Sequence, residues 1–349
     1  MNPLQQLSTP LLLWYQKQAR NLPWRTSPTP YHVWISEIML QQTRVAAVLG
    51  YYQRFLSAVP TIETLAQLPE DELMKLWQGL GYYNRARNMQ KAAQILVSEY
   101  GGVFPNSYDE IHKLPGIGDY TAGAICSIAF HLPTPAVDGN VLRVVARITG
   151  DEEDISTIAM KKKVTTALQT IIPLDNPGDF NQAMMELGAT VCLPNGAPLC
   201  DECPAFSFCI ARQKNLTHKL PVKAPKKPRK IEHRQVYLLF WNGHVAIRQR
   251  PKKGLLAGLW EYPNELDTQP DLNTLQPHWQ KAGTGKHIFT HIEWHMSAFW
   301  ADTISPDLPS GWVWADLETL AHSYAIPNAF QDFQSFITSH LLSMEVHPL

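Results

Sequence analysis

The chain predicts two domains of different class, an all-α domain followed by a small α+β domain, and three observations lead there. Residues 1–211 read as helices punctuated by Gly and Pro, with no strand-like alternation of any length. Residues 212–234 combine three prolines with many lysines and arginines and carry no apolar periodicity, the composition of an extended cationic connector. From residue 235 the apolar positions alternate with period two. A length of 349 residues suits two domains, and 45% hydrophobic against 17% charged residues supplies material for packed cores. No apolar run is long enough to cross a bilayer and MNPLQQLSTP is no secretory leader, so a cytoplasmic protein with no membrane association is expected. A net charge of −1 does not advertise nucleic acid as a partner, but it leaves room for a locally basic face.

In chain order, Thr9-Pro10 reads as the N-cap and first position of a helix carrying Trp14 and Tyr15. A second helix is predicted to start after Pro30 and to run unbroken through WISEIMLQQTRVAAVL. Further helices are separated at Pro60, Pro69, Gly79, Gly101-Gly102, Pro105, Gly116, Pro133 and Gly150. Beyond the connector, Gln235–Trp241 and His244–Arg250 flank Asn242-Gly243, a strong hairpin signal. A long alternating run, HIFTHIEWHMSAFWADTI, and a helix near Asn328–Leu341 complete the second domain.

Three constellations carry chemistry. The turn Leu114–Gly118 (LPGIG) leads into a helix, where backbone N–H groups would stabilise a phosphate, although any helix corner can use Pro-Gly. Glu37 shares a helical stripe with Val33 and Leu40, so its carboxyl falls on an apolar face where desolvation would keep it protonated. Asp138 precedes the helix VLRVVARI, whose N-terminus favours the anion. One acid and one carboxylate suit glycosidic cleavage, but these residues alone allow equally an ion pair and a simple cap. Finally, Cys192-x7-Cys200-x2-Cys203-x5-Cys209 places four of the five cysteines within one short stretch. Four thiolates accept either structural zinc or a [4Fe–4S] cluster. Cys126 stands apart in an apolar run and reads as a packing residue.

LPGIG-x-x-TA followed by Asp138 resembles the helix-hairpin-helix DNA glycosylase superfamily. Within it, LPWR at 22–25, SEIMLQQT at 36–43, GLGYYNRARN at 79–88 and NQAMMELGA at 181–189 resemble the MutY family of adenine DNA glycosylases over nearly the whole helical domain. The resemblance implies that Glu37 protonates adenine N7 and activates the nucleophile, while Asp138 stabilises the cationic sugar, supported by Tyr120 and Asn140. It assigns adenine recognition to Arg20, Leu22, Trp24, Arg25 and Glu186. Contacts to DNA fall on Gln42, Thr43, Gly116, Gly118 and Tyr82, with Tyr82 wedged into the base stack at the lesion. The partner implied is double-stranded DNA with adenine opposite 8-oxoguanine or guanine, bound by a monomer that flips the adenine out. The nearest rival, a bifunctional endonuclease III-type pyrimidine glycosylase, carries a lysine where Tyr120 stands. A phenol forms no Schiff base, so base removal without strand cleavage is expected. A non-catalytic DNA-binding protein, with the cluster as scaffold or redox sensor, is disfavoured by the intact Glu37 and Asp138.

By the same resemblance Cys192, Cys200, Cys203 and Cys209 hold [4Fe–4S]. The family's first gap is ordinarily six residues; here LPNGAPL has seven and no basic residue. GLLAGLWEYPNEL at 254–266 resembles the start of a Nudix fold, yet residues 265–285 lack the Arg-Glu…Glu-Glu helix of Nudix hydrolases. This domain should therefore read a lesion and hydrolyse nothing, with Phe289, Thr290 and His291 standing where relatives place a Phe-Ser-His loop against 8-oxoguanine. The expected division is a glycosylase domain at 1–211 with its cluster loop at 192–209, a connector at 212–234 and a Nudix-like domain at 235–349.

Overall fold

The computed structural model describes residues 2–225, 228–266 and 278–346. Two positions of the connector (226 and 227) and residues 267–277, part of the stretch whose sequence has no Nudix hydrolase signature, lie outside them. The chain forms two compact units, Met1–Gln67 with Asn88–Pro225, and Leu68–Arg87 with Lys226–Leu349. Among the described residues no helix is long and apolar enough to cross a membrane.

The first unit is helical. In order come α1 (Ser8–Gln18), α2 (Pro23–Thr26), α3 (Pro30–Leu40), α4 (Val45–Ala58) and α5 (Ile62–Gln67). After α6 (Glu70–Leu76), which belongs to the second unit, α7 (Asn84–Tyr100) leads to α8 (Tyr108–Lys113) and α9 (Asp119–Ala129). Then follow α10 (Gly139–Thr149), α11 (Ile158–Gln169), α12 (Pro177–Thr190) and the short α13 (Ile210–Gln213). Fully buried residues of α1, α10 and α12, among them Leu11, Val141, Phe180 and Leu187, form one apolar core.

Three boundaries depart from the sequence reading. Thr9 is not the N-cap of α1: a 3-10 turn at Pro3–Gln6 feeds straight into the helix, Leu7 takes the cap position and Pro10 still falls within the first turn, where its missing N–H costs nothing. The helix after Pro30 is not continuous. It stops at Leu40, Gln42 adopts a left-handed φ of 60°, and α4 begins at Val45. The connector is not a free tether along its length either. Its first part packs on the helical core through buried Leu220 and through the Ile155 N–H to Val222 carbonyl bond of 3.1 Å, while β1 already begins at Lys230.

The second unit contains a sheet in the order β3-β2-β1-β6-β5, with β4 on β1 and β7 on β2. Its strands are β1 (Lys230–Trp241), β2 (His244–Gln249), β3 (Trp260–Glu261), β4 (Asn264–Glu265), β5 (Gln280–Ile288), β6 (Ile292–Asp302) and β7 (Trp312–Ala315). Asn242 and Gly243, both at positive φ, close the β1–β2 hairpin as expected. The long alternating run is not one strand. It splits into β5 and β6, which pair antiparallel around a turn at Phe289–His291, and β6 lies parallel to β1. The α14 helix (Leu317–His322), a 3-10 turn at Asn328–Phe333 and α15 (Gln334–Val346) follow, and Phe330, Phe333, Ile337 and Leu341 pack with Trp294 and Met296.

Close approach of α12 to α10 sets the geometry beside Asp138. A Cβ at Gly188 would lie 2.6 Å from the Asn140 Cβ and 3.2 Å from its Cα. Gly188→Ala should therefore destabilise the chain by about 1–3 kcal/mol through overpacking, read as a lower urea midpoint; an unchanged midpoint would show that the two helices tolerate a methyl group between them.

Candidate active site

One cleft in the first unit gathers most of the residues singled out above: Arg20, Leu22, Trp24, Arg25, Glu37, Gln42, Thr43, Gly118, Tyr120, Asp138, Asn140 and Glu186 all line it. The local reasons differ. Thr29 caps α3 and Pro30 starts it, and the helix buries Val33, Trp34 and Ile35, which carries Glu37 inward to 5% exposure. The stop after Leu40 then turns Gln42 and Thr43 onto the rim. Gly118 begins α9 and places Tyr120 in its first turn, while Asp138 caps α10. Gly116, at φ +78°, makes the preceding corner; a side chain there would strike Asn88.

Tyr120 donates its hydroxyl to Glu37 Oε2 and also lies 2.9 Å from the Met185 sulfur. Burial pushes the Glu37 carboxyl up to about 7; the Tyr120 bond opposes the shift and the charge of Asp138 adds to it. Burial likewise drives the Tyr120 phenol well above its ordinary range. Asp138 accepts 2.8 Å bonds from the Val141 N–H and the Asn140 side chain. Its cap geometry alone suggested a depressed carboxyl, and here the sequence reading needs correction. Burial pushes Asp138 upward and outweighs these hydrogen bonds and the Arg143 charge. The Asp138 charge discourages ionisation of Glu37, so an ionised Asp138 favours a protonated Glu37.

Glu186 is held on the other side of the cleft. Arg20 bonds it through Nε at 2.6 Å and Nη2 at 2.9 Å, and Arg25 Nη2 joins at 2.9 Å. Burial raises the Glu186 carboxyl, yet the two arginines overcome it and hold it below the usual range. Arg25 Nε is buried without a hydrogen-bond partner among the described residues. Trp24 packs edge-on against Tyr52 with centroids 5.4 Å apart, and Leu22 is buried beside it.

Sequence reasoning missed Arg143 and Arg147. Both are buried on α10. Arg143 donates to the Asn140 side chain at 2.8 Å, the Gly188 carbonyl at 2.7 Å and the Cys192 carbonyl at 2.9 Å. Arg147 donates to the Leu193 carbonyl at 2.8 Å and lies 3.3 Å from the Cys192 sulfur. Two arginines four apart inside the apolar run VLRVVARI were the available signal, because charged side chains are seldom buried unless paired. Cys192, Cys200, Cys203 and Cys209 are all unbridged and line one pocket with Val144, Ile148 and Phe206.

Tyr82 and the Phe289–His291 turn belong to the second unit. Phe289 packs edge-on against Trp294 at 4.9 Å and anchors the turn, leaving Thr290 and His291 exposed. The hydroxyls of Tyr82 and Thr290 are hydrogen-bonded at 2.9 Å, and Tyr82 itself has a left-handed φ of 47°. Arg85, also missed, donates to the Leu80 and Gly81 carbonyls and lies over the Trp77 and Tyr82 rings, holding this loop in shape.

A glycine-cornered helical hairpin beside a cleft with two coupled carboxyls defines the first unit as a base-excision DNA glycosylase of the helix-hairpin-helix class. Residues 35–173 match the family described as HhH-GPD superfamily base excision DNA repair protein, and residues 235–335 match the NUDIX domain. The fold resembles a thermostable thymine-DNA glycosylase (TM-score 0.56, 28% identity, 61% of this chain and 97% of that one). It also resembles endonuclease III in a non-covalent DNA complex (TM-score 0.52, 28% identity, 61% of this chain and 98% of that one). The human adenine DNA glycosylase is 35% identical over 93% of this chain and 73% of its own length. The adenine DNA glycosylase of Buchnera aphidicola subsp. Baizongia pistaciae is 36% identical over 83% of this chain and 84% of its own. The chain belongs to the adenine DNA glycosylase family.

The Glu37 carboxyl has a stability consequence. Its folded value, about 7, exceeds its ordinary 4.5, so its contribution is complete below about 4.5 and is lost as pH rises through 7. Glu37→Gln should match the parent chain in acid and exceed it above neutrality by on the order of 3 kcal/mol. Urea unfolding at acid and alkaline pH checks this, and a variant less stable than its parent at alkaline pH would contradict it.

Proposed function

We propose that the chain removes adenine lying opposite 8-oxoguanine or guanine in duplex DNA by hydrolysis, leaving an abasic site and an uncut strand. The observation that carries this reading is the buried Glu37 carboxyl, protonatable near neutrality, bonded to the phenol of Tyr120 in a cleft shared with the capped Asp138. An adenine flipped into the cleft receives the Glu37 proton at N7. The C1′–N9 bond then breaks with both electrons going to the base, and the Asp138 carboxylate stabilises the cationic sugar. Water adds at C1′ and returns a proton to Glu37, which restores the acid. The Arg25 guanidinium, steadied by Glu186, lines the cleft that would receive the base. No amine accompanies the carboxyl pair at the Tyr120 position, so no Schiff base forms there. Gln42, Thr43, Tyr82, Thr290 and His291 are proposed to read the opposite base, with Gly116 and Gly118 on the DNA backbone, in a protein acting as a monomer.

The four cysteines are proposed to hold a [4Fe–4S] cluster. All four are free and line one pocket, and four thiolates are the ligand set that such a cluster takes. Bound there, the cluster would supply metal–thiolate bonds that stabilise the 192–209 loop, and Arg147 places positive charge beside Cys192.

Single-turnover assays on adenine opposite 8-oxoguanine should release adenine, with breaks only after alkali and no borohydride-trapped adduct. The rate should fall as pH rises through about 7, where Glu37 loses its proton. Glu37→Gln should retain duplex affinity and lose at least about a hundredfold in rate; efficient trapping, or a variant within tenfold of its parent, would remove this mechanism. Purified protein should be brown with about four irons per chain, and Cys200→Ser should lose both colour and soluble yield. A colourless protein with stoichiometric zinc would overturn the cluster assignment.

A further inference from the structure

The segment Leu68–Arg87 lies in the helical part of the sequence but folds as part of the second unit. Besides the Tyr82–Thr290 hydroxyl bond, three of its side chains donate to main-chain carbonyls of that unit. Lys75 Nζ donates to the carbonyls of Leu320 at 2.9 Å and Tyr324 at 3.0 Å, at the end of α14. That is the negative end of a helix, where carbonyls lack intrahelical partners and a cation is favoured. Gln78 Nε2 donates to the Ile326 carbonyl at 2.7 Å. Arg87 Nη2 donates to the Ala257 carbonyl at 2.6 Å, and its Nε is held by Glu70 at 2.6 Å.

These anchors fall on both sides of one loop. Lys75 and Gln78 precede it, Arg87 follows it, and Tyr82 sits between them with its hydroxyl on Thr290. The loop includes left-handed residues at Gly79, Gly81 and Tyr82, so its shape depends on where its two stems are pinned. Tyr82 is 48% exposed, with the Arg85 guanidinium 5.6 Å from its ring centroid.

We propose that Lys75, Gln78 and Arg87 are positioning residues for discrimination of the base opposite adenine. By tying both stems of the loop to backbone carbonyls of the C-terminal sheet domain, they hold Tyr82 and Thr290 together as one preformed reading element. The inference rests on the proposed reading that Tyr82 and Thr290 meet the opposite base. None of the three anchors lines the cleft with Glu37 and Asp138, so the chemical step does not depend on them.

The test uses the full chain and measures single-turnover rates on adenine opposite 8-oxoguanine and opposite guanine. Lys75→Met and Gln78→Leu remove donors at nearly constant volume, and Lys75→Arg keeps a cation and serves as the conservative rescue. Each deletion should lower the ratio of the two rates by about tenfold, the scale on which indirect contacts modulate coupling, while the rate opposite guanine stays within about twofold. Lys75→Arg should recover most of the ratio, and hydrogen exchange of residues 79–84 should quicken in the deletion variants alone. Equal losses on both substrates, or an unchanged ratio with faster exchange, would overturn the positioning role. Thr290→Ala and Tyr82→Phe separate the two levels. If they lower the ratio and the anchor variants do not, only the positioning inference fails; if they leave it intact, the reading beneath it fails as well. Should Lys75→Met not fold, Gln78→Leu and Arg87→Leu carry the same test.

Discussion

Arg143 buries its guanidinium where three parts of the helical unit meet, and the arrangement of that unit depends on how it is satisfied. It reaches the Asn140 side chain, the Gly188 carbonyl of α12 and the Cys192 carbonyl at the start of the cysteine loop. A buried cation stripped of partners costs several kcal/mol, so α10, α12 and the loop must adopt positions that keep all three acceptors in place. Because Asn140 also bonds Asp138, the demand reaches the carboxyl that caps α10. The glycine at 188 is part of the same constraint, since only a residue without a Cβ lets the helices close far enough.

The two carboxyls of the cleft differ through small differences in surroundings. Glu37 lies on an apolar helical face with one phenol for company, and desolvation dominates. Asp138 is also raised by burial, but it retains a backbone N–H, an amide and a nearby guanidinium. The distinction therefore comes from the number of donors that support each anion, since both groups are desolvated. The Asp138 charge sharpens it by discouraging ionisation of Glu37.

In the second unit, polar side chains on backbone carbonyls do what apolar packing does elsewhere. Lys75, Gln78 and Arg87 fix a loop by reading main-chain positions, while Phe289 on Trp294 fixes the opposing turn. Tyr82, Thr290 and His291 stay exposed while the residues beside them are tied down.

Much of this was legible from residue order. Helical periodicity placed Glu37 on an apolar face, Asp138 before an apolar helix marked a cap, Asn242-Gly243 closed a hairpin, and the spacing of four cysteines marked them as one set of ligands. These are local properties, set by backbone geometry and by neighbours a few residues away. Tertiary structure decided what depends on distant neighbours. The α3 helix ends at Leu40 although its sequence favours continuing, because the chain takes a left-handed step at Gln42 that puts Gln42 and Thr43 on the cleft rim. Asp138 is raised where its cap alone would lower it, because burial is contributed by residues far away in sequence. The partnership of Tyr82 with Thr290 spans 208 positions and leaves no trace in local pattern. Hydrogen bonding and desolvation act through space, so the sequence by itself determined which groups were present and how each segment would fold, while only the assembled fold decided which of them would meet.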